Sequence, residues 1–256
     1  MNTKNAVAIA AIAWSASAPF AAGRLEAQTA PADEEPTAGR GFFQAGYLRL
    51  GLDDLNTALT GAALPAMSED FLTLGGAGYG TRGRFLIGGE GHALMGAKET
   101  TPGGGRQLTV SGGFGLFRVG YLVITGEAFD LYPLFGIGGG GMSLKIAERF
   151  APTFDQVIAD PETSSTLSTA VLVLDVGLAA NYRVTLGERE RGVGGFLLGV
   201  QAGYSFAPAQ SAWSLDGTND VAGGPDLRIQ GPYVRLSLGG WGRETPEEEA
   251  AAGAVR

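Results

Sequence analysis

Three groupings of residues have the types and spacing that chemistry needs. In "FGIGGGG", Gly136, Gly138 and Gly141 spell G-x-G-x-x-G after an apolar run, with Asp160 downstream. That is the layout of a loop that cradles a pyrophosphate and, about 20 residues later, holds a ribose hydroxyl. The single histidine, His92, follows Glu90 by two residues. If the next hairpin is symmetric, Ser111 lies opposite His92, and a serine beside a histidine base is the arrangement of an activated nucleophile. The acidic residues Asp53, Asp54, Glu69 and Asp70 offer oxygen ligands to a hard cation.

None of the three has its context. A dinucleotide loop must end a strand and open a helix, yet "MSLKIAERFAPTF" is short and meets Pro152, and nowhere does strand alternate with helix. With 43 glycines in the chain, a chance match is unsurprising. No oxyanion-hole element accompanies His92 and Ser111. The acidic residues lack metal-loop spacing and read as solvated surface. No catalytic residue, metal or cofactor is therefore expected. The 256-residue chain carries a net charge of -8, which excludes a basic nucleic-acid surface. It has no cysteine, which excludes disulfides, thiolate metal sites and a lipidated N-terminal cysteine.

The elements that must position these residues read as strands. Residues 1–27, with Lys4 ahead of a small-residue apolar run, read as an export signal. Residues 28–40 read as a disordered linker. From Gly41 to Gly242 the apolar period is two. Eight strands are expected, at Gly41–Gly51, Asp70–Gly80, Arg84–Leu94, Gln107–Ile124, Leu131–Lys145, Val171–Arg183, Gly194–Phe206 and Gly231–Gly242. An acidic periplasmic tail, 243–256, would follow. The connections alternate between long and short, as in an up-and-down barrel with one rim in a confined compartment. Large apolar side chains such as Leu172, Leu174, Leu198, Val200 and Leu236 share one face, and Asp175, Gly177, Gln201 and Arg235 share the other. Alternation alone does not say which face is inside. The glycines, mostly on the polar face, favour a crowded lumen there.

With "GGFLLGVQAGYSFAP" and "GPYVRLSLGGW", the chain resembles small outer-membrane barrels of the OmpA/OmpX-like, porin-like kind over residues 41–242. The resemblance implies an all-β, eight-stranded antiparallel up-and-down transmembrane β-barrel in a bacterial outer membrane. It would have short periplasmic turns and long outer loops, lipid around it, a monomeric state and no nucleic-acid partner. Such barrels usually end on an aromatic residue; here Trp241 is followed by "GRETPEEEAAAGAVR".

On this reading Arg84, Glu90, His92, Asp175, Gln201 and Arg235 form a polar plug that closes the lumen, with Glu90 and Asp175 paired to Arg235. Phe42, Phe43, Tyr121, Tyr132, Tyr182 and Trp241 form an interfacial girdle. By parity, Gly139 and Gly141 line the lumen, while Gly136, Gly138 and Gly140 face lipid. Arg118 also faces lipid with Phe114 and Leu116, snorkelling to the interface unless a bulge turns it. Connections 53–69, 147–170 and 207–230 are long enough to hold a surface partner. Two alternatives are an outer-membrane lipid-modifying hydrolase using His92 and Ser111, and a soluble lipocalin-like binder of an apolar ligand.

Overall fold

The computed structural model describes residues 38–149, 153–155, 164–189, 192–217 and 219–244. The expected signal segment, the linker up to residue 37, Asp160 and the tail beyond residue 244 lie outside them; residues 38–40 are already strand. The long strands are β1 (Ala38–Arg49), β2 (Asp70–Arg82), β3 (Phe85–Thr100), β4 (Arg106–Tyr121), β5 (Phe129–Glu148), β6 (Ser164–Arg189), β7 (Gly192–Gln210) and β8 (Gly231–Glu244). Each pairs antiparallel with its sequence neighbours, and β1 pairs with β8 from Ala38↔Arg243 to Leu48↔Tyr233, which closes the ring. Among the described residues no helix is long and apolar enough to cross a membrane.

The connections sort by rim, but the expected alternation of long and short fails once, since 101–105 is shorter than 122–128 on the opposite rim. Residues 83–84, 122–128 and 190–191 join strands at one end; 50–69, 101–105, 149–163 and 211–230 join them at the other. The tight turn at 101–105 places Gly103 and Gly104 at φ +90° and +77°, where a side chain would be strained. β3 therefore continues well past the expected Leu94, with a register shift between Leu94 and Ala97.

The first long connection is not loop alone. It holds α1 (Asp53–Gly61), which buries Leu55 and Leu59 at i and i+4, one stripe of a helix. Asn56 ties it down, donating to the Met67 carbonyl at 3.1 Å and accepting from the Met67 amide at 2.7 Å. In the last connection, Trp213–Leu215 pairs with β6 at Leu167 and Ser168, and Asn219–Val221 pairs in turn with Trp213–Leu215.

The two faces separate by chemistry. Leu178, Leu198 and Leu236 are 51%, 50% and 66% exposed, within an outer face that also carries Phe43, Ile87, Phe117, Phe135, Val176 and Val234. Glu90, Asp175, Gln201 and Arg235 point to the axis and are buried. A soluble barrel holding an apolar ligand would invert this. The outer apolar residues form a belt of the kind that lies in hydrocarbon. At the short-turn end it is edged by outward aromatics in register, Phe85 on Tyr121 (ring centroids 5.2 Å apart) and Phe129 opposite Tyr182. Near the long rim the outer face of β4–β6 turns polar, with Ser111, Ser143 and Ser168 in one cross-strand row and Thr109, Lys145 and Thr166 in the next.

A charge placed in the belt should be costly. Leu236→Arg is expected to lower the unfolding free energy in lipid vesicles by about 2–4 kcal/mol, read from a urea titration. Equal stability of variant and parent would put this face in water.

Candidate functional site

Most of the interior is filled by two apolar clusters separated by a polar zone. The cluster at the long rim includes Leu48, Leu50, Phe71, Leu94, Val110, Met142 and Val173, capped by Leu55 and Leu59 of α1 and by Trp213, Leu227 and Ile229 of the last connection. The cluster towards the short turns includes Phe42, Tyr79, Leu86, Leu122, Tyr132, Leu134 and Leu197. Most strands carry inward polar residues between the two: Gln44, Thr73, Glu90 with His92, Arg118, Asp175, Gln201 with Ser205, and Arg235 with Ser237. β5 contributes Gly136 instead.

The charged members form one chain across the lumen. Arg235 Nη1 on β8 donates to Glu90 Oε1 on β3 at 2.9 Å. Arg118 on β4 donates to the same Glu90 oxygen and, through its other terminal nitrogen, to Asp175 on β6. Two guanidiniums thus meet two carboxylates, all with fully buried side chains. Neutral donors complete the carboxylates: Tyr79 reaches Glu90 at 2.9 Å, and Tyr233 and Ser205 reach Asp175 at 2.8 and 2.6 Å. Burial of charge is tolerable when it is paired and bonded in this way. The Arg235 guanidinium also lies over the Tyr233 ring, 3.8 Å from its centroid. Gln201 donates to the Tyr233 hydroxyl at 3.1 Å, and Gln44 bridges Gln201 and Ser237, each at 3.1 Å.

Inward glycines make room for these large side chains. A Cβ at Gly136 would sit 2.9 Å from Arg118 Cδ, one at Gly46 would sit 2.7 Å from Arg235 Cγ, and one at Gly75 would sit 2.5 Å from His92 Nδ1. The glycine run of β5 is thus part of a socket and not of a phosphate cradle. β5 continues as strand to Glu148, with Gly136, Gly138 and Gly140 on the inward parity and Gly139 and Gly141 on the outward one, the reverse of the expected faces.

The same reversal holds in β4. Arg118 is buried on the axis with Phe114 and Leu116, and Phe117 and Val119 point outward. Ser111 therefore lies on the outer parity, paired with Ser143, and Phe114 stands opposite His92. The His92 ring packs on Phe114 at 5.2 Å, and its Nε2 lies 3.4 Å from Glu90 Oε1. The histidine–serine pair is not made.

Of the six expected plug residues, Glu90, His92, Asp175, Gln201 and Arg235 lie together in the lumen. Arg84 does not: it is exposed in the Gly83–Arg84 turn, one residue before β3 begins. Asp175 bonds Arg118 in place of Arg235. Sequence reasoning missed Arg118 as the bridge. Its isolation as a charge among Phe114, Leu116, Phe117 and Val119 was the available signal, since a mid-strand charge is costly on the lipid side. In the expected girdle, Phe43, Tyr121 and Tyr182 face outward, while Phe42 and Tyr132 are buried inside and Trp241 takes the inward parity. The acidic loop residues do not converge: Asp53 and Asp54 open α1, Glu69 pairs with Arg49 at 3.0 Å, and Asp70 accepts from Tyr47. No cluster of His, Asp or Glu that could hold a metal occurs among the described residues.

A closed ring with an apolar exterior and a buried ionic interior defines a small up-and-down transmembrane β-barrel of eight antiparallel strands. No family model matches the chain, and no curated protein does. Solved structures that overlay on it include Ail, the attachment invasion locus protein of Yersinia pestis. That pair is 12% identical over 82% of this chain and 99% of that one, with a TM-score of 0.39. The outer membrane protease OmpT from Escherichia coli is 8% identical over 85% and 99%, with a TM-score of 0.34. The outer membrane protein AlkL is 15% identical over 85% and 93%, with a TM-score of 0.37. At such values the class assignment rests on the strand pairing and the exposed faces alone.

Removing the bridge should be costly. Arg118→Met leaves Asp175 without a guanidinium and Glu90 with one, and is expected to destabilise the barrel by about 3–5 kcal/mol in a denaturant titration. Adding Asp175→Asn should return part of that loss, so the double variant falls short of the sum of the singles. Strictly additive losses would show that the two residues are not coupled.

Proposed function

We propose that the chain is an exported barrel of the bacterial outer membrane, with a closed lumen and a structural or interactive role, and that it is neither a general diffusion pore nor an enzyme. One observation carries this reading: the axis is occupied by the Arg235–Glu90–Arg118–Asp175 chain, with an apolar core and α1 stacked over it. An eight-stranded interior is only wide enough for its own side chains, and here the four charged groups of the plug are ion-paired and the apolar filling is packed, while Arg118 Nε, Arg235 Nε and Nη2 and both His92 ring nitrogens make no hydrogen bond among the described residues.

The polar outer rows of β4–β6 support a projection of the long rim into water beyond the lipid belt. There the connections 53–69, 147–170 and 207–230 would meet a surface partner. Among their described residues α1, the ends of β6 and β7 and the Trp213–Leu215 pairing give a built surface. The hydrolase alternative loses its support, because its nucleophile and base lie on opposite sides of the wall.

Planar-bilayer recording tests the plug. The purified barrel, folded as judged by a gel mobility that shifts on heating, is expected to give no stable channel conductance. Steady, regular conductance steps from the folded protein would contradict a closed lumen.

A further inference from the structure

Beyond the lower apolar cluster, at the short-turn mouth, the interior becomes charged again. A cavity of about 260 Å³ is lined there by Arg40 (β1), Thr81 (β2), Thr125, Asp130 (β5), Arg183 (β6) and Arg243 (β8), among others. Among the described residues that line it, three guanidiniums face one carboxylate, a local excess of positive charge in a chain whose net charge is -8. Asp130 is already shared. It accepts from Arg40 at 3.3 Å and from Thr125 at 3.0 Å, and Arg183 Nη2 lies 3.4 Å away. Both guanidinium contacts are longer than the roughly 2.7–2.9 Å of a tight ionic hydrogen bond. One carboxylate cannot neutralise two guanidiniums, and Arg243 adds a third.

The donors are held in place and partly unused. The Arg40 side chain is 5% exposed and its guanidinium lies 5.7 Å from the Tyr132 ring centroid. The Arg183 guanidinium lies 5.3 Å from the Trp241 centroid and donates to the Gly126 carbonyl. Ring faces fix the planes of the guanidiniums while leaving other edges free to donate. Thr81 is buried, and among the described residues neither its hydroxyl nor Nε of Arg183 has a hydrogen-bond partner. This hydroxyl and this N–H are free to donate to an acceptor that enters the mouth, beside the surplus positive charge.

We infer that this mouth binds a small oxyanion of the phosphate class. A doubly charged tetrahedral anion matches the surplus of two positive charges, and its several oxygens suit guanidinium forks and a threonine hydroxyl. The volume falls below the roughly 300–1,000 Å³ of a drug-sized pocket, so it fits a phosphate or a simple phosphate ester. The phosphate group is supplied either free in solution or as the headgroup of a phospholipid. This site is separate from the plug and does not depend on the lumen being closed.

The test uses the full-length protein in uncharged maltoside micelles, titrated calorimetrically in two arms. One arm adds inorganic phosphate or glycerol 3-phosphate; the other adds phosphatidic acid, whose headgroup is likewise a phosphomonoester, to the micelle. Saturable binding in the first arm supports the site with a free anion as its source, and binding only in the second supports it with a headgroup. Arg183→Gln and Thr81→Val should each weaken that binding about tenfold, the loss expected for one hydrogen bond to a charged group. Arg243 is exposed, so Arg243→Gln keeps the test valid if the buried variants fail to fold; it too should weaken binding, and more so at low salt. Absence of saturable binding in both arms, or binding unchanged in every folded variant, would overturn the proposal.

Discussion

Each of the eight long strands is hydrogen-bonded on both edges, and this closure makes the rest of the molecule possible. In hydrocarbon there is no water to satisfy an open strand edge, so a sheet can cross only as a ring. Once the β1–β8 register is fixed, alternation assigns every side chain to lipid or to the axis. Leu, Val and Phe on the outer parity cost nothing in that setting, whereas the inner parity must fill a narrow tube without stranding a charge.

The filling is graded along the axis. At the long rim it resembles the core of a soluble domain, closed by a short helix and by Trp213. In the middle it is ionic, with four charged side chains from four strands drawn into one neutral chain. This ties β3, β4, β6 and β8 together through the lumen as well as around the wall. At the short-turn end the described lining is cationic, with Arg40, Arg183 and Arg243 around Asp130. The abundance of glycine follows in part from the same crowding. A guanidinium that must lie flat inside an eight-stranded tube needs a wall without a Cβ, as Arg118 has at Gly136.

Much of this was legible because β6, β7 and β8 have strong contrast. Leu172, Leu174 and Leu178 against Asp175 and Asn181 admit one phase only, and the structure has that phase. β4 and β5 have little contrast. Phe114 and Leu116 fill the upper lumen while Phe117 and Val119 meet lipid, so both faces look apolar. There the sequence pattern inverts easily, and one inversion puts Ser111, Gly136 and Arg118 on the wrong side together. The bulge past Leu94 shifts the β3–β4 register, which a symmetric hairpin could not anticipate. α1 was hidden in a polar stretch because its buried stripe is only Leu55 and Leu59. The basic mouth was not visible at all, since Arg40, Arg183 and Arg243 are far apart in the chain and are brought together by closure.

The inside-out arrangement is tested most directly by a nitroxide scan along β7, made simple by the absence of native cysteine. Single cysteines from residue 196 to 206 are spin-labelled in lipid vesicles, and collision with oxygen is compared with collision with a water-soluble nickel chelate. The even positions, including 198 and 200, should be open to oxygen and shielded from nickel, and the odd positions, including 201 and 205, should be immobile and shielded from both. Nickel access at the even positions, with no alternation in oxygen access, would mean that these residues do not face lipid.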